Sequence, residues 1–293
     1  MKPPPFSYHD PSSIGEALNL LGSLENPKLL AGGQSLMPML NMRYVLPDHI
    51  IDLNKIEGLS YIEENNGEIL IGGMTRQRDL EYSDVIKSKC PLMNDALQQV
   101  GHRQTRNRGT IGGSLSHLDP AAELPAVCAA HDAVIVVQGG GGIREIPFAE
   151  FPVAYMTPAT EMDEILIGVK IRVWGDHHGF AFVEFARRHG DFAITSAAAL
   201  LEVDDAGLIT RASLTVGGVG AAPVRMNKIE VALIGLSGDE ERFRELCEGC
   251  REIEALGDVY ASSDYRQHLA TVMSRRALVK AYSRATGKEQ GVG

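Results

Sequence analysis

Apolar positions at Ile14, Ala17, Leu18 and Leu21 recur at i, i+3, i+4 and i+7, the spacing of one helix face, and Ser13 with Glu16 places a capping box at its start. A short apolar run from Lys28 to Ala31 predicts a strand that leads into Gly32-Gly33. A helix-like piece from Ser35 to Arg43 follows, and His49 to Leu53 forms a second apolar run. The pattern predicts a small βαβ-like unit that closes near Glu57.

From Tyr61 to Ile71 the pattern changes to two apolar runs joined by Asn66-Gly67, a dipeptide that favours the left-handed turn of a β-hairpin. Residues 76–82 and 91–100 have helical composition, and residues 119–130 form an alanine-rich run. Val134 to Val137 then enters a second hairpin through Gly139 to Gly142, and Ile165 to Ile171 predicts a closing strand. After Trp174 three strands are expected in succession, Phe180 to Ala186, Ala193 to Val203 and Leu208 to Val216. Helices over 227–236, 239–254 and 264–285 fill the remainder. Strands gathered into runs and helices gathered into runs indicate an α+β fold. The expected units are residues 1–57, 58–175 and 176–293.

Composition narrows the possibilities. Apolar residues make up 44% and charged residues 23% of the 293, enough hydrophobic surface for folded cores and too much for a disordered chain. No run approaches the roughly 20 apolar residues that cross a bilayer, and MKPPPFSYHD lacks the apolar centre of a signal peptide, so a cytoplasmic protein is expected. A formal charge of −10 opposes binding to nucleic acid. Four cysteines cannot form a disulfide framework in a chain this long, and Cys247-x-x-Cys250 stands in a charged helical stretch without a second pair of ligands. Asp176-His177-His178 is equally isolated, so no metal site is expected. Asp119, ahead of Pro120, reads as a helix cap beside His117.

Two glycine-centred loops carry the candidate chemistry, Ala31-Gly32-Gly33-Gln34-Ser35 and Thr110-Ile111-Gly112-Gly113-Ser114. Glycine lets backbone N–H groups approach an anion, and successive amides can surround a phosphate. A pair of such loops suits a ligand with two phosphates, while the absence of GxGxxG and GxxxxGK[ST] removes ordinary nicotinamide sites and P-loop ATPases. No local Ser–His–Asp or paired-carboxylate arrangement supplies a reaction centre, as expected where a cofactor does the chemistry.

The strings AGGQSLMPMLNMR (31–43), GHRQTRNRGTIGGSLSHLDPAAELPA (101–126) and FARRHGDFAI (185–194), in this order, resemble the FAD-binding medium subunits of the xanthine dehydrogenase and carbon monoxide dehydrogenase family. The resemblance implies an α+β fold of two subdomains clasping FAD, of the vanillyl-alcohol oxidase type, followed by a C-terminal α+β domain with a small antiparallel sheet and helices. It implies that Leu29, Leu30, Ala31, Gly32, Gly33, Gln34, Ser35 and Leu36 wrap the pyrophosphate. Thr110, Ile111, Gly112, Gly113 and Ser114 would close over it from the other side. Gly101 would leave room for the cofactor, and Glu123, where relatives often carry Asp, would accept from ribityl or ribose hydroxyls. Leu166 would lie near the adenine half, and Phe192 either approaches the isoalloxazine or is a core aromatic between domains. Relatives with a lysine before the paired arginines are not matched, since Val183-Glu184-Phe185 stands there, and Arg187 and Arg188 read as surface salt-bridging residues.

By the same resemblance, a large molybdenum-pterin subunit would hydroxylate a small substrate and a small subunit with two 2Fe–2S clusters would pass electrons to FAD in this chain. The expected assembly is a heterotrimer or its dimer. Gln34, where carbon monoxide dehydrogenases tend to carry His, leans toward an N-heterocycle or aldehyde as substrate. A stand-alone FAD-dependent oxidoreductase and a non-catalytic scaffold remain open as alternatives.

Overall fold

The computed structural model describes residues 1–287 and arranges them around three larger sheets and one two-stranded hairpin. The first comprises β1 (Ser7–His9), β2 (Pro27–Leu30) and β3 (His49–Asp52), with both neighbours parallel to the central β3. Between these strands run α1 (Ile14–Ser23) and α2 (Leu36–Asn41). Ser13 Oγ accepts from the Glu16 amide at 3.2 Å as a capping box requires, but the Glu16 carboxylate reaches one residue further back, to the Ser12 amide at 2.9 Å. Ala17 and Leu21 pack with Ile51 and Leu53 in a small core of their own.

The second sheet is antiparallel, in the order β4 (Ile62–Asn65), β5 (Glu68–Gly72), β10, β6 (Val134–Gly139), β7 (Gly142–Pro147), where β10 is Ile165–Arg172. Asn66 and Gly67 both take positive φ at the first hairpin, 51° and 80°, the backbone that such a dipeptide predicts. Helices α3 (Gln77–Tyr82), α4 (Asp84–Lys89), α5 (Pro91–Leu97), α6 (Arg103–Arg108), α7 (Ile111–His117) and α8 (Glu123–Ala130) lie between β5 and β6. Of these, α4, α6 and α7 have no apolar period in the sequence. They are single turns or slightly more, charged or glycine-rich, held by tertiary contacts rather than by propensity. Residues 110–114, expected as a loop, form the N-cap and first turn of α7. Asp119 does not cap α8, whose N-cap is Ala122; its carboxylate instead accepts from the Ala121 amide at 2.8 Å and fixes the turn ahead of the helix. A short hairpin, β8 (Pro152–Ala154) with β9 (Thr157–Pro158), follows β7.

The third sheet has the antiparallel order β11 (Gly179–Phe185), β12 (Thr195–Val203), β13 (Ile209–Gly217), β14 (Val224–Arg225). Helices α9 (Asn227–Leu233), α10 (Glu240–Cys247) and the 23-residue α11 (Ser263–Ala285) follow. Alternation divides the faces of this sheet. Ala197, Ala199, Leu201, Leu214 and Val216 pack on the C-terminal helices. Phe182, Ala198 and Leu200 join the core of the second unit with Leu92, Leu124 and Val127. The third sheet therefore docks through α5 and α8 onto the preceding unit, and Ser213 Oγ donates to the Ala130 carbonyl across that seam at 2.7 Å. The four cysteines are buried and free, Cys247 closing α10 and Cys250 in the short 3-10 turn after it.

Candidate functional site

A cleft of about 920 Å³ opens between the first and second sheets and is lined by residues from both glycine loops. It is large enough for a dinucleotide, within the range of small-molecule and cofactor sites. The loops touch. A Cβ on Gly32 would meet the Arg108 carbonyl oxygen at 2.3 Å and Gly109 Cα at 2.7 Å, while one on Gly113 would lie 3.4 Å from Ala31 Cβ. Glycine is required at position 32 because the two backbones stack there.

A polar clamp holds this closure. Asn54 Nδ2 donates to the Ala31 carbonyl at 2.9 Å, and Arg76 donates to both Asn54 Oδ1 and the Arg108 carbonyl. The Gln77 amide donates to the Gly109 carbonyl at 2.8 Å. Sequence patterning missed Asn54 and Arg76, since each looks like an ordinary polar residue beside a strand or helix.

The two loops differ in what they leave available. Gly33 has φ 74°, which turns the chain, and among the described residues the amides of Gly32, Gly33, Gln34 and Ser35 make no hydrogen bond to protein. In the second loop the Ile111 amide donates to the Thr75 carbonyl at 3.1 Å and that of Gly112 to the Gly73 carbonyl at 2.9 Å. The Gly113 amide donates to Thr110 Oγ1 at 3.0 Å, and that of Ser114 to the Thr110 carbonyl at 3.1 Å. Only the first loop offers a nest of free donors to an anion. The second supplies thinness, letting α7 lie against Gly73, whose carbonyl oxygen would stand 2.5 Å from a Cβ on Gly112.

Of the residues expected at the site, Leu29, Ala31, Gly32, Gly33, Gln34, Ser35, Leu36, Gly101, Thr110, Gly112, Gly113, Ser114, Glu123, Leu166 and Phe192 line the cleft. Leu30 and Ile111 do not. The Leu30 side chain packs beneath Gly33, and Ile111 is fully buried in the second core. Gly101 has φ 44°, in a turn fixed by Arg106, which donates to the Val100 carbonyl at 3.0 Å and forms a buried two-point ion pair with Glu81 at 2.7 and 3.2 Å. Phe192 is 62% exposed at the mouth, so it is not a core aromatic. Arg187 lies over the Tyr260 ring at 4.1 Å and 4.0 Å from Asp191, both contacts at the surface.

Other residues of the cleft carry no pattern in the sequence. Lys28 brings a cation to the edge of the first loop, and the Gln77 side-chain oxygen is buried without a partner among the described residues. The segment with Met156, Thr157, Pro158, Thr160, Glu161 and Met162 forms one wall. Arg144 braces it through a two-point pair with Glu164, at 2.6 and 2.7 Å, and a 2.7 Å hydrogen bond to the Ala159 carbonyl. Glu123 is buried, and desolvation pushes its carboxyl up to about 7. Burial lowers the pKa of His117.

These features fit FAD. Unengaged amides beside Lys28 suit a diphosphate, the Gln77 oxygen and Glu123 suit hydroxyl or amide donors, and an apolar strand wall at Ile165 and Leu166 suits a planar ring.

The family described as the FAD binding domain in molybdopterin dehydrogenase matches residues 4–174, and the CO dehydrogenase flavoprotein C-terminal domain matches residues 180–281. The chain belongs to this family of molybdenum-hydroxylase flavoproteins, the FAD-binding medium subunits of oxidoreductase complexes. It is 37% identical over 287 residues to the 6-hydroxypseudooxynicotine dehydrogenase complex subunit alpha of Paenarthrobacter nicotinovorans, covering 97% of each chain. It is 36% identical to the caffeine dehydrogenase subunit beta of Pseudomonas sp. strain CBB1, again with 97% of each chain covered. A solved structure of carbon monoxide dehydrogenase from Hydrogenophaga pseudoflava superposes with a TM-score of 0.94 at 34% identity, covering 97% of this chain and 99% of that one.

Proposed function

We propose that this chain is the electron-transfer subunit of a heterotrimeric molybdenum hydroxylase. It accepts electrons from the 2Fe–2S clusters of a small partner subunit after a large molybdenum-pterin subunit has hydroxylated a small substrate, and it passes them to an external acceptor. When bound, the flavin supplies the capacity to take up electrons singly and release them in pairs. The residues of this chain do the rest. The amides of Gly32 to Ser35 hold the diphosphate, Lys28 offsets part of its charge, and Gln77 with Glu123 fixes orientation by accepting hydrogen bonds. The wall from Met156 to Met162 and Phe192 at the mouth limit the entry of water. The organisation that serves this is a division into residues 1–57, 58–175 and 176–293, the first two forming most of the cleft and the third bringing Phe192 to its mouth and docking on α5 and α8.

The observation that carries this reading is the stacking of Gly32 on Gly109, which closes a cleft around unengaged amides. The similar relatives that bear the names of a nicotine-derived substrate and of caffeine support an N-heterocycle as the substrate of the complex, with an aldehyde as the competing class. Co-expression with candidate large and small subunits, followed by purification through a tag on this chain, tests the assignment. The expected product is a yellow heterotrimer or its dimer whose flavin is bleached by the heterocycle only when all three chains are present. Turnover of a small substrate by this chain alone would instead establish a stand-alone flavin oxidoreductase.

A further inference from the structure

Beside the cofactor cleft lies a second cavity of about 590 Å³, within the size range of small-molecule sites. Its walls come from the loop joining β11 to β12, from Tyr155 in the turn of the β8–β9 hairpin, and from the segment between Leu256 and Tyr260 ahead of α11. Asp119, Gly190, Asp191 and Phe192 line this cavity and the cleft alike. The cleft alone has room for a whole dinucleotide, so the second cavity is space left over, and a molecule held in it shares the Phe192 wall with the cofactor.

The walls are firmly held. Gly190 has φ 87°, and a Cβ there would meet the His102 ring at 2.4 Å, so the loop that carries Phe192 is pressed onto the start of α6. Buried Arg266 of α11 donates to the Ile194 carbonyl at 2.5 Å, to the Gly218 carbonyl at 2.6 Å and to Asp258 Oδ2 at 2.5 Å. These bonds tie the entry to β12 and the exit from β13 to the last helix. Asp258 in turn accepts from the Tyr260 and Ala261 amides at 2.7 and 2.9 Å. The Arg187 guanidinium over the Tyr260 ring steadies it, yet Tyr260 stays 61% exposed and Tyr155 57%. Three aromatic side chains, Tyr155, Phe192 and Tyr260, thus line one cavity without being covered by the fold. The hydroxyls of Tyr155 and Tyr260 have no hydrogen-bond partner among the described residues.

Charge decides what such a cavity accepts. Asp119, Asp191 and Asp258 stand against Arg187 and Arg266, and no lysine or histidine lines it among the described residues. Both guanidiniums are already engaged, Arg266 by Asp258 and Arg187 by Tyr260 and Asp191. A nicotinamide dinucleotide would bring its diphosphate against carboxylates with no spare cation and is repelled. Dioxygen needs no cavity of this size, and a protein acceptor needs a broad surface rather than a hollow. A neutral planar oxidant fits, because its ring packs on exposed aromatic side chains and its carbonyl oxygens accept from tyrosine hydroxyls.

We propose that this cavity receives the external electron acceptor and that the acceptor is a neutral quinone, packed against Phe192 and Tyr260 with the Tyr155 hydroxyl as a hydrogen-bond donor. This rests on the reading of the cleft as a flavin site and names the acceptor that reading leaves open. Two electrons and two protons pass from the reduced flavin to the quinone, whose two C=O bonds become C–OH as two O–H bonds form. The hydroquinone then departs, and the oxidised cofactor is ready for the next pair of electrons. Phe192 is the partition between donor and acceptor.

Calorimetric titration of the oxidised full complex with duroquinone, and separately with NAD+, tests the site by binding rather than by turnover. Duroquinone is expected to bind once per copy of this chain and NAD+ not at all. Tyr260→Ala is expected to weaken duroquinone binding about ten-fold and Tyr155→Phe a few-fold. Neither residue lines the cofactor cleft, so flavin content and bleaching by the heterocycle should match the wild type in both. Reoxidation of the dithionite-reduced flavin by dilute duroquinone should slow in the same order. Equal duroquinone affinity in the wild type and both variants would overturn the site. Binding of NAD+ that Tyr260→Ala abolishes would overturn the acceptor class. Loss of flavin from Tyr260→Ala at an unchanged thermal midpoint would give the cavity to the cofactor itself and overturn the proposal. A wild-type complex without flavin would instead overturn the reading of the cleft, while the duroquinone titration would still decide the cavity.

Discussion

The two glycine loops look alike in sequence and do opposite work. Residues 32–35 leave their backbone amides without a partner among the described residues, whereas every amide from Ile111 to Ser114 is spent on Thr75, Gly73 or Thr110. One loop is built to bind and the other to be thin. The difference arises from their surroundings. The first follows a parallel edge strand and turns through a left-handed Gly33, while the second opens a helix whose first turn is capped by Thr110 and pressed against the end of β5. A glycine pair thus means free donors only where the chain around it leaves them unengaged.

Substitutions can break this contrast or sharpen it. Gly32→Val has the largest expected effect, because the new side chain would drive Arg108 and Gly109 away. Overpacking of this kind costs about 1–3 kcal/mol, and both the thermal midpoint and the flavin-to-protein absorbance ratio should fall together. Gly33→Val places a β-branched residue at φ 74°, in open space apart from Met37 and Leu30. It should cost about 1–3 kcal/mol of backbone strain and yield folded but flavin-poor protein, shown by reconstitution with added FAD. Thr110→Val removes the α7 cap and should lower stability by about 1 kcal/mol in thermal melts, with flavin content close to wild type. If Thr110→Val lost flavin as fully as Gly33→Val at unchanged stability, the division of labour between the loops would be wrong. Lys28→Ala is the smallest, an exposed charge at the edge of the first loop whose removal should weaken FAD affinity only a few-fold, the more so at low salt.

Strong periodicity marked the elements that stand on their own. The capped α1, the Asn66-Gly67 hairpin and the β11 to β13 run were legible because each satisfies a local rule, whether capping, turn chemistry or alternation. The short α4, α6 and α7 were not, since each forms only against its neighbours. At the site, the two glycine loops were legible from the residues themselves and Glu123 through resemblance, while Asn54, Arg76, Gln77 and the 156–162 wall were missed. Their importance lies in contacts across 20 residues or more, such as Asn54 with Ala31 and Arg144 with Glu164, and such contacts leave no spacing signal.

By itself, then, the sequence determined the class of fold, the two loops on which a cofactor site could be built and the family to which both belong. Periodicity, turn residues and motif order are properties of the chain alone, and they survive without coordinates. Only the tertiary structure decided which loop keeps its amides free, that Ile111 belongs to the core, and that Asn54 and Arg76 clamp the two loops together. Hydrogen-bond satisfaction and burial depend on what lies opposite a residue in space, and for these groups the opposite number comes from a distant part of the chain.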